Sequence, residues 1–139
     1  MTILRLAPRA RNAVADVFTA MIDAGDGPGT LSIYTGPIPP NAAAELTDLE
    51  LLGVLTFGRP PAAASDIGIA AFSGIVEESS AAATGRAVWA RIRDADGSTV
   101  FDCDVTDPGG GGTIELNTTA IVKGGPIRIP TFALTIPTG

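Results

Sequence analysis

The chain has no histidine. That absence excludes Ser-His-Asp and Cys-His nucleophilic catalysis and every imidazole metal site. One cysteine, Cys103, cannot form an internal disulfide or a multi-thiolate zinc site. Lysine occurs once, at Lys123. Nine basic residues face fifteen acidic ones, giving a net charge of −6 and a pI near 4.4. This balance argues against a surface built for nucleic-acid phosphates or anionic membranes, so neither is expected as a direct partner. Long apolar runs are also missing, and none approaches the ~20 residues of a membrane span. Met1 to Leu6 leads into Arg9 and Arg11 without an extended apolar stretch, so no signal peptide is expected.

What remains suits a folded domain. At 139 residues the chain has the length of one domain. Hydrophobic residues make up 45%, enough for a core without staples. Glycine and proline together account for 28 residues, which predicts many turns and few long helices. The one convincing helix covers residues 8–24. Val14, Val17, Phe18, Met21 and Ile22 recur there at spacings of three and four, which predicts an apolar stripe packed on a sheet. Pro8 fits the first turn and Gly25 the stop.

Strands follow. Residues 30–35 alternate, with Leu31 and Ile33 on one face and Ser32 and Tyr34 on the other. Residues 41–50 are open between a helical turn and a loop. Strands are predicted at 51–57, 67–76, 113–119 and 127–136, with Pro130 placing the last at an edge or bulge. The clearest hairpin is 86–105, turning at Asp94-Ala-Asp-Gly97. It sets Trp89, Arg91 and Arg93 on one face, opposite Asp102 and Asp104, which predicts cross-strand charge pairs. The fold expected is mainly β: an antiparallel β-sandwich or jelly-roll-like domain with one N-terminal α-helix. Residues 1–25 form an arm and helix and 26–139 the sandwich, as a single domain overall.

Each pattern that could carry chemistry has an ordinary structural reading. Asp94-Ala-Asp-Gly97 lacks the spacing of a calcium loop, since glycine comes fourth and the twelfth position is Val105. The four glycines 109–112 lack the Gly-Lys-Ser/Thr of a phosphate loop and read as a flexible connection. Glu77 and Glu78 are adjacent on an extended segment and point to opposite faces, which suits a glycosidase pair poorly. Cys103 alternates with Phe101 and Val105 and reads as a buried thiol. Trp89 is either an interface anchor or the cap of a small core. No catalytic residue, metal or cofactor is expected.

Several segments together resemble small proteins of tailed-bacteriophage structural gene clusters. They are Ala10-Arg-Asn-Ala13, Gly29-Thr-Leu-Ser-Ile-Tyr-Thr-Gly36, Ala87-Val-Trp-Ala-Arg91 with Asp94-Ala-Asp-Gly97, Leu116-Asn-Thr-Thr-Ala-Ile-Val122 and Phe132-Ala-Leu-Thr-Ile-Pro137. Within that group the chain is most similar to capsid cement or decoration proteins. The resemblance implies a non-enzymatic protein made in the host bacterial cytoplasm. It would sit on the capsid exterior of the virion and staple the major capsid protein. Self-association as a dimer or trimer is expected. The interface candidates are Trp89, Arg91, Arg9, Arg11, Ile127, Ile129 and Phe132, with the strand 127–136 as a pairing edge. A tail tube, tail terminator or head–tail connector is the alternative place in a virion. A carbohydrate-binding module would need more exposed aromatics than Trp89 and Tyr34 supply.

Overall fold

The computed structural model describes residues 3–44, 46 and 49–138. The middle of the open stretch 41–50, at Glu45, Thr47 and Asp48, lies outside the described residues. Its start is a turn: the Asn41 side chain accepts from the Ala43 N–H at 2.9 Å.

The helix α1 spans Pro8–Ile22 with proline in its first turn. It stops at Asp23, and Gly25 follows with φ +101°, a left-handed conformation that glycine adopts without steric cost. Nine strands come after it: β1 Thr30–Tyr34, β2 Leu51–Thr56, β3 Ile69–Ala71, β4 Gly85–Arg86, β5 Trp89–Arg93, β6 Thr99–Thr106, β7 Ile114–Glu115, β8 Ala120–Ile121 and β9 Thr131–Thr135. The protein is mainly β with one N-terminal helix. Seven strands form one sheet in the order β2-β1-β5-β6-β7-β9-β3, and β4 pairs with β8 beside it.

The sheet is mixed, which corrects the all-antiparallel expectation: β6 and β7 run parallel. Bridges join extensions of its two outermost strands, Ala62 with Phe72 and Thr56 with Val76. The sheet therefore curls back on itself around the core. The hairpin β5–β6 keeps the predicted alternation. Trp89 lies opposite Asp104 and Arg91 opposite Asp102, and a bulge follows Ile92.

Three predicted strands are shorter than the sequence suggests. The stretch 67–76 contains only β3, because Gly68 and Gly74 take φ of +73° and +69° and break the extended run. The stretch 113–119 retains only β7. The stretch 127–136 divides at Pro130, which cannot donate to a ladder. Before it, Ile127 exchanges backbone hydrogen bonds with Glu78 (2.8 and 3.1 Å). After it, β9 lies between β7 and β3. This strand is not an edge, so it offers no free ladder to another chain.

All five phenylalanines of the chain meet in one connected group. Phe132 is its hub, 4.5 Å from Phe72, 6.0 Å from Phe57 and 6.3 Å from Phe101 between ring centroids. Phe101 meets Phe18 of α1 edge-on at 5.7 Å. These contacts join the helix to strands from both halves of the sheet. Phe132→Ala is expected to lower the unfolding free energy by about 3–5 kcal/mol in urea titration. A loss below about 1 kcal/mol would mean that Phe132 does not hold the core together.

One backbone position is strained. Ile67 takes φ +46° in the two-residue turn between Asp66 and Ile69. A β-branched residue in this region costs roughly 1–2 kcal/mol. Asn12 holds the turn by accepting from the Gly68 N–H at 2.7 Å. Ile67→Asn is expected to raise the melting temperature, since asparagine tolerates the left-handed conformation. A lower melting temperature would assign the exposed Ile67 side chain a packing role.

Candidate protein-interaction surface

The outer face of β1, β5 and β6 gathers Ser32, Tyr34, Trp89, Arg91 and Arg93. Here the pairing registers place Ser32 beside Arg91 and Tyr34 beside Trp89. Tyr34 and Trp89 stack at 4.8 Å, and the Arg91 guanidinium lies 5.5 Å from the Trp89 ring centre. Arg91 grips Asp102 with two hydrogen bonds, Nε to Oδ1 at 2.7 Å and Nη2 to Oδ2 at 2.9 Å. Its Nη1 also donates to the Ala44 carbonyl at 2.8 Å. The Asp102 bond raises the Arg91 pKa further above its ordinary value, so the guanidinium stays charged. Arg93 donates to Ser32 Oγ at 2.9 Å.

This cluster is interior. Trp89 is fully buried and Arg91 is only 4% exposed. Trp89 and Arg91 are therefore corrected from interface candidates to a packed network that fastens the 41–44 turn to the sheet. The cross-strand charge pairs expected of this hairpin are realised as Arg91 with Asp102, but its burial also needs a turn that lies 47 residues from Arg91. Ile127 and Phe132 are also buried, and Ile129 is half-buried against the core. None of the three is a free contact surface.

The other chemical candidates hold the chain's own backbone. Asp94 Oδ1 accepts from the N–H groups of Asp96 (3.0 Å) and Ser98 (2.9 Å), closing the hairpin. The glycine run is anchored: Gly109 N–H donates to Glu115 (2.9 Å), Gly112 N–H to Thr106 (3.1 Å) and Thr113 N–H to Asp104 (3.1 Å). Amides that a phosphate would need are already engaged. Glu77 pairs with Arg128, while Glu78 accepts from the Ser80 N–H at 3.2 Å, so the two carboxylates serve separate partners. Burial, then Asp104 and Asp102, pushes the Cys103 thiol well above its usual range and disfavours the thiolate. A surface depression lined by Arg86, Val88, Val105 and Thr106 contains Asp107. That carboxylate is committed to the Thr119 N–H at 2.7 Å, which holds its pKa below the ordinary value.

The unexpected surface is α1. Its polar side chains from Arg11 onward face the body of the protein. Arg11 donates twice to the Ile136 carbonyl (3.0 and 2.8 Å), Asn12 accepts from Gly68 and Asp16 from the Ser65 N–H (2.8 Å). Just beyond the helix, Asp23 pairs with Arg59 at 2.8 Å. Ala15, Phe18 and Ile22 supply the apolar part of the inner face. Val14, Val17 and Met21 point outward at 39, 54 and 44% exposure. The predicted stripe therefore splits, with Phe18 and Ile22 inside and the other three outside. Arg11 is corrected from a free basic contact to a tie holding the helix to the C-terminal segment. Arg9 is exposed, as is the arm around Ile3, Leu4 and Arg5. The sequence carries a signal for this inversion, since Arg11, Asn12, Asp16, Thr19 and Asp23 also recur at helical spacing.

Removing one partner of the buried pair should be costly. Arg91→Ala is expected to lower stability by about 3 kcal/mol, because Asp102 is left uncompensated. Arg91→Met with Asp102→Leu is expected to recover most of that loss in the same denaturation assay. A single variant as stable as the wild type would remove the pair from the account of this face. Compared with known protein families, with curated proteins and with solved structures, the chain matches none.

Proposed function

We propose that the protein is a non-enzymatic virion structural protein of a tailed bacteriophage, a capsid cement that binds the outside of the major capsid protein shell and stabilises it. The observation that carries this reading is the division of labour among side chains. The polar groups that chemistry would need close the chain's own turns, while apolar residues are left on the outside. Such a molecule works by contact area.

The N-terminal arm is the element assigned to the shell. Ile3 and Leu4 are exposed beside Arg5, and Arg9 is exposed on the first turn of the helix. Leu6 anchors the arm by donating its N–H to the Thr138 carbonyl at 2.9 Å. Apolar groups flanked by arginine make good anchors on a partner surface. Binding the assembled shell in preference to its free subunits shifts the equilibrium toward the shell by mass action. The resemblance to cement proteins points to the same partner.

Co-sedimentation with purified tailless shells tests the proposal. Saturable binding on the order of hundreds of copies per particle is expected. Deleting residues 1–5 should weaken binding at least about tenfold with an unchanged melting temperature. Absence of shell binding would overturn the reading. About a dozen copies per particle would instead place the protein in a tail or connector ring.

A further inference from the structure

We propose that two copies of this chain pair through α1, antiparallel, about a two-fold axis at Val17. The outward arc of the helix covers about 120° at 3.6 residues per turn. From Ala10 to Met21 it holds only alanine, valine and methionine. Its exposed positions are spaced evenly about Val17. In an antiparallel pair centred there, Ala13 meets Met21, Val14 meets Ala20 and Val17 meets itself, with Ala10 level with the residues just past the partner's helix end. A two-fold interface requires this self-complementarity, and an arbitrary partner would not. Away from Val17, which meets itself, large side chains fall opposite small ones, which is compatible with axes about 10 Å apart.

Charge selects the same partner and the same direction. The helix has no acidic residue in its first turn and no basic residue in its last. Arg9 and Arg11 stand at its N-terminal end, with Asp23 and Asp26 just past its C-terminal end. Both ends therefore oppose the macrodipole of their own helix. Antiparallel pairing about Val17 brings the exposed Arg9 of each copy to Gly25 and Asp26 of the other, and sets the two macrodipoles head to tail. A parallel pair would bring like charges together at both ends. One helix pair is a small interface, so association in the micromolar range is expected.

The proposal does not rest on shell binding. Sedimentation equilibrium from about 1 to 500 μM, spanning that affinity range, reads it directly. A monomer–dimer equilibrium is expected. Val17→Glu should raise its dissociation constant at least about tenfold. Arg9→Asp should weaken pairing, and adding Asp26→Arg should restore it, which a mere loss of folding would not do. With Cys103→Ser as background, Val17→Cys should form a covalent dimer under mild oxidation, since facing Cα atoms in such a pair lie within the ~7 Å that a disulfide spans. A chain monomeric throughout the range would overturn the proposal, as would a trimer or an oligomer indifferent to Val17→Glu. Loss of shell binding in Val17→Glu from a monomeric wild type would give this face to the shell instead. The arm-deletion assay reads a different segment, so failure of the pairing leaves the shell reading standing.

Discussion

Backbone amides without a ladder partner are the constraint on which this structure depends. Among the described residues, four of the nine strands are two or three residues long. A buried or half-buried N–H without an acceptor costs about as much as a lost hydrogen bond. Carboxylates answer that need at the half-buried amides of Ser65 and Thr119 and close exposed turns elsewhere. Asp16, Glu78, Asp94, Asp104, Asp107 and Glu115 each accept from a main-chain N–H. Asn12 and Asn117 do the same. Thus much of the acidic excess is architectural. For Asp16 and Asp107 the bonds to Ser65 and Thr119 hold the carboxyl pKa below its ordinary value. These acids are ligands of the protein's own backbone.

The same rule explains the helix. The segments beside α1 at 65–68 and at Ile136 present main-chain groups that need partners from outside themselves. Asp16 and Asn12 supply acceptors, and Arg11 supplies donors. With those side chains turned inward, geometry leaves Val14, Val17 and Met21 on the outside. Phe18 and Ile22 still enter the core, so the helix is docked by both apolar and polar contacts. The apolar surface on α1 is a consequence of hydrogen-bond satisfaction on its other face.

Much of the fold was legible from local signals. Pro8 and Gly25 bracket the helix, and Asp94 to Gly97 marks the hairpin turn. The alternation of Trp89, Arg91 and Arg93 with Ala90 and Ile92 gives the two faces of β5. Facing was less legible. Periodicity finds a stripe but does not say whether it meets the core, and α1 carries two stripes. Arg91 reaches a turn at 41–44, remote in sequence, and Trp89 is packed between Tyr34 and Arg91. The length of β9 turns on Pro130, which the sequence places at an edge or a bulge and which in the structure divides the stretch, since 127–128 pair with a different part of the chain than 131–135 do. The candidate site suffered most: of the seven residues singled out, Arg9 alone is exposed without a structural duty among the described residues.

The arm and the helix face are adjacent in sequence yet separate in what they do. The arm leaves the N-terminal end of α1, so antiparallel pairing sends the two arms of a dimer from opposite ends of the helix pair. With the axis at Val17, each Pro8 stands nine residues from it, so at 1.5 Å per residue those points lie roughly 27 Å apart along the pair. Each arm alone offers few apolar groups, and a contact of that size is weak. Two arms on one body would change the arithmetic, because engagement of the first with the proposed shell would raise the effective concentration of the second at a neighbouring subunit. A regular lattice repeats its sites at fixed spacing, so the gain requires that this spacing match the reach of the arms. Pairing through α1 would thereby convert a marginal contact into a bridge between two subunits, which a monomer carrying the same arm cannot make.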